Sequence, residues 1–195
     1  LYLRSNLEYA NEARRKAEIE NQILAVKSET DQLTGLYNRF KLNDYLEEAY
    51  EYCNKNQCTM AIEILDIDYF KEYNDNYGHH AGDQCIKAVA DSLMYMAKEY
   101  GGFAARYGGD EFVIICENVS KEWVEDVAKS LVSKVAELKM ESEDSPISDY
   151  VSVSVGVYYG KIAYKETLRS LVEKADKGLY KVKENGRNNY TIMSE

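Results

Sequence analysis

The chain has 195 residues, with 34 acidic and 24 basic side chains and a formal net charge of −10. Apolar residues make up 45% and charged residues 30%, a globular composition and not a disordered one. No apolar run reaches the roughly 18 residues that a membrane-spanning helix needs. The acidic surplus argues against a general nucleic-acid binder, so any phosphate ligand must be met by a few placed cations and a metal. The four cysteines (Cys53, Cys58, Cys85, Cys116) lack zinc-ligand spacing, and the only histidines, His79 and His80, are neighbours. Reduced thiols in a cytoplasmic compartment are expected.

Residues 1–30 contain no Gly or Pro and favour helix. Leu3, Leu7, Ala10, Arg14, Ala17, Asn21 and Leu24 are spaced by alternating steps of four and three, an imperfect coiled-coil seam. A solvated helix lying on its own domain satisfies the same pattern, but a dimerising stalk is the preferred reading. Helices and strands alternate from Asp31 onward. The segment Phe40–Tyr52 carries a helical stripe of Phe40, Leu42, Tyr45, Leu46 and Ala49. Thr59–Ile67 is apolar along most of its length, as a central covered strand would be. A helix over Asp83–Met96 is followed by two strands, FAARY and FVIIC, flanking Gly108 and Gly109. A long amphipathic helix through Trp123 and Leu138 leads to a polar loop holding Pro146. The segment YVSVSVGVYY alternates strictly, which predicts one buried and one polar face. A last helix near Leu168–Lys183 precedes a short edge strand at Asn189–Ile192. The expected organisation is a helix over 1–30 and one α/β domain over 31–195.

Carboxylates appear where buried strands should end. Asp66-Ile67-Asp68 follows one apolar strand, and Asp110-Glu111 precedes another. If those strands are neighbours, Asp66 and Asp110 converge, and such carboxylates repel one another unless a cation sits between them. Hard oxygen donors with few imidazoles suit magnesium. Each piece has an ordinary structural explanation: a Gly-Gly pair makes a hairpin turn, and an Asp after a strand caps a helix.

Five motifs in order bring the chain close to a known family. They are Asp31-Gln-Leu-Thr-Gly-Leu-Tyr-Asn-Arg39; Asp66-Ile-Asp-Tyr-Phe-Lys71 with Asn74-Asp75, Gly78-His79 and Gly82-Asp83; and Arg106-Tyr-Gly-Gly-Asp-Glu-Phe112. Ser154-Val-Gly156 and Ala175-Asp176 with Leu179-Tyr180, Lys183 and Gly186-Arg187-Asn188 complete the set. Over about Asp31–Ile192 the chain resembles the GGDEF-domain diguanylate cyclases, which condense two GTP into cyclic di-GMP and two pyrophosphates. The resemblance implies a palm-like, nucleotidyl cyclase-like fold, with a central, mostly antiparallel sheet flanked by helices and preceded here by the helical stalk.

The resemblance also implies roles. Asp66 and Asp110, with the Ile67 carbonyl, would bind Mg2+, with Mn2+ able to stand in. Asp110 would accept the proton of the 3′-hydroxyl, and Glu111 would orient metal or water. Asn74 and Asp83 would read guanine, His79 would help hold the nucleotide, and Lys71, Lys183 and Arg187 would contact phosphates. Related enzymes that make mixed adenine–guanine products carry Ser at the Asp83 position, so Asp83 implies GTP as sole substrate. Asp31 and Arg39 are expected to pair and fix the stalk to the domain. Many family members have Arg-x-x-Asp before the turn, where product binds and inhibits; Glu99 and Gly102 stand there instead, which predicts no product inhibition through that site.

Two new phosphodiester bonds require two facing domains, so a homodimer through the N-terminal helix is expected. A sensory or membrane region is expected upstream, which would anchor the full-length protein while this fragment stays cytoplasmic. The competing reading is a catalytically idle GGDEF module that binds GTP or dimerises to regulate. Retention of Asp66, Asp110 and Glu111 weighs against it.

Overall fold

A computed structural model describes residues 14–16, 18 and 28–194. Arg14–Lys16 and Glu18 are helical and exposed, and Arg14 Nε meets Glu18 Oε1 at 2.9 Å. Apart from Arg14, the proposed coiled-coil seam lies outside the described residues.

The domain runs α1 (Arg39–Asn56), β1 (Thr59–Ile67), α2 (Phe70–Tyr77), α3 (His79–Tyr100), β2 (Phe103–Gly108), β3 (Glu111–Glu117), α4 (Lys121–Glu137), β4 (Val153–Lys161), α5 (Leu168–Glu184) and β5 (Tyr190–Ser194). Five strands form one sheet in the order β2-β3-β1-β4-β5. All neighbouring pairs are antiparallel except β4–β5, which is parallel, so the expected edge strand is present. β1 is central and apolar because helices cover both of its faces. Ala61, Leu65 and Ile67 pack with α3 and α4, while Met60 and Ile62 pack with α1 and α5. Thr167 caps α5 by accepting from Ser170 N, and the Ser170 hydroxyl returns a contact to the cap, which fixes where that helix starts.

Three expectations change. β4 is buried on both faces, not one, because its polar-looking positions are small and receive α5. A Cβ on Gly156 would lie 2.1 Å from Leu179 N, so helix and strand touch backbone to backbone. Phe40 is 79% exposed and does not belong to the buried stripe of α1, which is Leu42, Ala49 and Cys53. Asp31 pairs with Arg106, not Arg39; Arg39 instead lies over the Tyr107 ring at 4.5 Å.

One apolar strand hides a charge-bearing side chain. Glu63 in β1 is 1% exposed, and among the described residues neither carboxyl oxygen has a hydrogen-bond partner. By alternation it faces the α3/α4 side, opposite Ile114 and Val157. Burial pushes its carboxyl up to about 8. All four cysteines are free thiols.

Candidate active site

The antiparallel pairing of β1 with β3 places Asp66 directly opposite Glu111. Residues so paired hold their Cβ atoms about 5 Å apart. Asp110 precedes Glu111 in the hairpin, and its carbonyl accepts from Ile67 N at 3.4 Å. Gly109 turns the chain with φ +56°, a conformation that costs a glycine little. The two acidic clusters of the sequence therefore meet at one end of the central strands.

A cation already stands among them. Lys183 Nζ lies 2.9 Å from Asp66 Oδ1. Burial pushes the Asp66 carboxyl up to about 6; Lys183 pulls it back, and Asp110 and Glu111 push it further up. The position of Lys183 follows from the β4–α5 contact. Leu179 sits over Gly156, and one helical turn onward, about 6 Å, comes Lys183. Two strand residues back, about 7 Å, comes Ser154, the register partner of Asp66. The close approach at Gly156 thus delivers the ammonium to the carboxylate.

Asp68 secures the opposite side of this corner. It is 5% exposed and accepts from Ser152 Oγ at 2.7 Å, Ser154 Oγ at 2.6 Å and Asn188 N at 3.1 Å. A buried carboxylate is tolerated when its oxygens are filled in this way. Three non-glycine residues with positive φ gather here: Tyr69 (+54°), Arg187 (+60°) and Asn188 (+47°). Such backbone persists only where surrounding contacts hold it. Arg187 Nη1 donates to Tyr69 Oη at 3.0 Å and to the Lys183 carbonyl at 3.2 Å, with its guanidinium 4.4 Å from the Tyr69 ring centre.

The remaining predicted residues lie on α2 and α3. Lys71 is exposed in the first turn of α2, and His79 and Asp83 are exposed near the start of α3. Asn74 is half-buried, and its amide lies against Gly82, where an added Cβ would meet Asn74 Oδ1 at 1.9 Å. Gly82 therefore makes room for Asn74 beside Asp83. The structure pairs Lys183 with Asp66, sets Glu111 opposite Asp66 with Asp110 next to it in the hairpin, and brings Arg187 in through the Lys183 carbonyl. Lys71, His79 and Asp83 stand outside the bonds of that cluster.

Sequence reasoning assigned no role to Arg106, which braces the hairpin. Its Nε and Nη2 donate to the Gly109 carbonyl at 3.0 and 2.7 Å, and Nη1 donates to Asp31 Oδ1 at 3.1 Å. Burial would raise the Asp31 carboxyl, but bonds from Thr34 and Arg106 hold it below its ordinary value. Both residues lay in quoted motifs, but 75 positions separate them, so periodicity carried no sign of the contact. The buried role of Asp68 had a fainter signal, since an acid inside an apolar strand end needs hydroxyl partners and Ser152 and Ser154 supply them.

The donor set fits a divalent cation. Asp66 and the Asp110-Glu111 pair offer hard oxygens at one strand end, with the Lys183 ammonium beside Asp66; among the described residues no three such side chains are already gathered around a metal position, so phosphates would have to complete the shell. Among the described residues no helix is long and apolar enough to cross a membrane.

Comparison with known proteins gives the family. The family described as diguanylate cyclase, GGDEF domain, matches residues 28–189. Diguanylate cyclase A of Treponema denticola is 34% identical over 181 residues, covering 89% of this chain and 47% of that protein. Diguanylate cyclase DgcP of Pseudomonas aeruginosa is 32% identical over 166 residues, covering 85% of this chain and 24% of that protein. The chain thus spans less than half the length of either relative. Among solved structures, the coiled coil and GGDEF domain of DgcB from Caulobacter crescentus, in complex with c-di-GMP, matches with a TM-score of 0.85. That match has 29% identity and covers 100% of both chains. With a family match over residues 28–189 and relatives above 30% identity along most of the chain, the chain belongs to the GGDEF-domain, diguanylate cyclase family.

Proposed function

We propose that this protein is a diguanylate cyclase that joins two GTP molecules into cyclic di-GMP and releases two pyrophosphates. The observation that carries the reading is Asp66 opposite Glu111 and beside Asp110, with Lys183 at 2.9 Å. Asp66, Asp110 and the Ile67 carbonyl would hold Mg2+, with Mn2+ as substitute; such ions acidify a hydroxyl and neutralise a leaving pyrophosphate. Asp110 takes the proton from the 3′-oxygen, and Glu111 orients the groups around it. Lys71, Lys183 and Arg187 hold the phosphates, which supplies local positive charge in a chain of net charge −10. Asn74 and Asp83 pair with guanine, and adenine would leave their polar atoms unpaired. His79 steadies the nucleotide.

Each domain, residues 31–195, holds one GTP and presents it to a second copy. Residues 1–30 supply the helix through which the copies pair and by which an upstream sensory or membrane region would set their orientation. The experiment is product chromatography after incubation with Mg2+ and GTP, or with ATP. The reading predicts cyclic di-GMP and pyrophosphate in a one-to-two ratio from GTP, and no cyclic product from ATP. Bound GTP that is never converted would favour an idle regulatory module instead.

A further inference from the structure

The geometry points to Lys183 as a built-in competitor for the metal: its ammonium holds Asp66 against free divalent cations and yields when a nucleotide triphosphate draws it away. The inference rests on the reading of this corner as a GTP site and adds an order of binding to it.

The pair is sheltered. The Lys183 and Asp66 side chains are 31% and 13% exposed, and Nζ to Oδ1 is 2.9 Å. The carboxylate that Lys183 neutralises is the one that faces Glu111 across the strands, so the ammonium answers the repulsion that a metal would otherwise answer. The helix cannot withdraw it. Backbone contact at Gly156 fixes α5 on β4, and the Arg187 bonds to Tyr69 and to the Lys183 carbonyl hold the end of the helix. Only the side chain can move, and a lysine stem with four rotatable bonds can do so.

Two cations competing for one carboxylate make metal affinity conditional on where the lysine rests. A divalent ion arriving alone must break the pair and then sit beside the displaced charge. A triphosphate offers Lys183 several oxygens and reverses both penalties. Coupling of this kind is reciprocal: by whatever factor the nucleotide raises the affinity for metal, the metal raises the affinity for nucleotide. The metal therefore enters with the nucleotide and not ahead of it.

Titration of the full chain with Mn2+ in the absence of nucleotide, followed by the electron paramagnetic resonance of free Mn2+, decides the matter. Lys183→Met should bind Mn2+ about fivefold more tightly than wild type, or better. Lys183→Arg, which keeps the cation, should stay near wild type. The gain should vanish in Lys183→Met/Asp66→Asn, while Lys183→Met should weaken binding of a non-hydrolysable GTP analogue. Equal or weaker Mn2+ binding by Lys183→Met overturns the inference, as does a gain that survives removal of the Asp66 charge. Failure of the GTP reading looks different: the analogue would then bind to no variant, while the nucleotide-free titration would still compare lysine with methionine.

Discussion

Replacing Glu63 by methionine should stabilise the protein, and should do so increasingly as the pH rises. The folded carboxyl, pushed up to about 8 from an ordinary value of 4.5, binds its proton more tightly than the unfolded one. Stability from this group is therefore complete below pH 4.5 and is lost progressively as the pH climbs towards 8. The slope approaches about 1.4 kcal/mol per pH unit, so between pH 5 and 7 the loss is roughly 2–3 kcal/mol. Removing a buried acid with no partner adds a pH-independent gain of about 1–3 kcal/mol. Methionine fills similar space without a charge and adapts to irregular surroundings. Urea unfolding of wild type, Glu63→Met and Glu63→Gln at pH 5, 6, 7 and 8 provides the comparison. Asp66 and other groups that titrate in this range are common to all three and cancel in the difference. The stability gap between Glu63→Met and wild type should widen by roughly 2–3 kcal/mol from pH 5 to 7. Glu63→Gln should lose the same pH slope. Parallel profiles for wild type and Glu63→Met would refute the reasoning.

Gly156→Ala puts a methyl 2.1 Å from Leu179 N and 2.3 Å from the Ala175 carbonyl, so α5 must recede by about 1 Å at an overpacking cost of about 1–3 kcal/mol. Because α5 carries Lys183 and leads directly into Arg187, turnover should fall by about a hundredfold, and unchanged melting and kinetics would contradict the proposed placement. With Glu99 and Gly102 in place of the Arg-x-x-Asp pair, added cyclic di-GMP should leave the initial rate unchanged. Equilibrium dialysis that finds tight, saturable product binding with the GTP site filled would contradict this.

The parts of the fold legible in the sequence were those governed by periodicity and burial. The apolar run Thr59–Ile67 reads as a central strand, and helices do cover both of its faces. Periodicity misled at β4, because Ser152, Ser154 and Gly156 look like a solvent-facing row. They are small for other reasons: α5 packs on Gly156, and Asp68 needs the hydroxyls of Ser152 and Ser154. Phe40 fits the helical stripe by number but lies beyond the buried part of α1. Glu63 stayed hidden because one acid in an apolar strand leaves the pattern almost intact. At the candidate site, the motifs named which residues matter, and the β1–β3 register explains how Asp66, Asp110 and Glu111 come together. Motifs do not state pairings. Asp31 was matched with its near neighbour Arg39, whereas the hairpin brings Arg106 from across the chain to receive it and to hold the Gly109 carbonyl.

The central claim is that two copies of this domain cyclise two GTP molecules and that Asp110 is indispensable to the step. It is tested most directly by following cyclic di-GMP formation from GTP and Mg2+ across a wide range of protein concentrations, beside Asp110→Ala. The account predicts product that rises more steeply than linearly with protein while the copies are still associating, and none from the variant. No product at any concentration from protein that binds GTP, or undiminished product from Asp110→Ala, would contradict it.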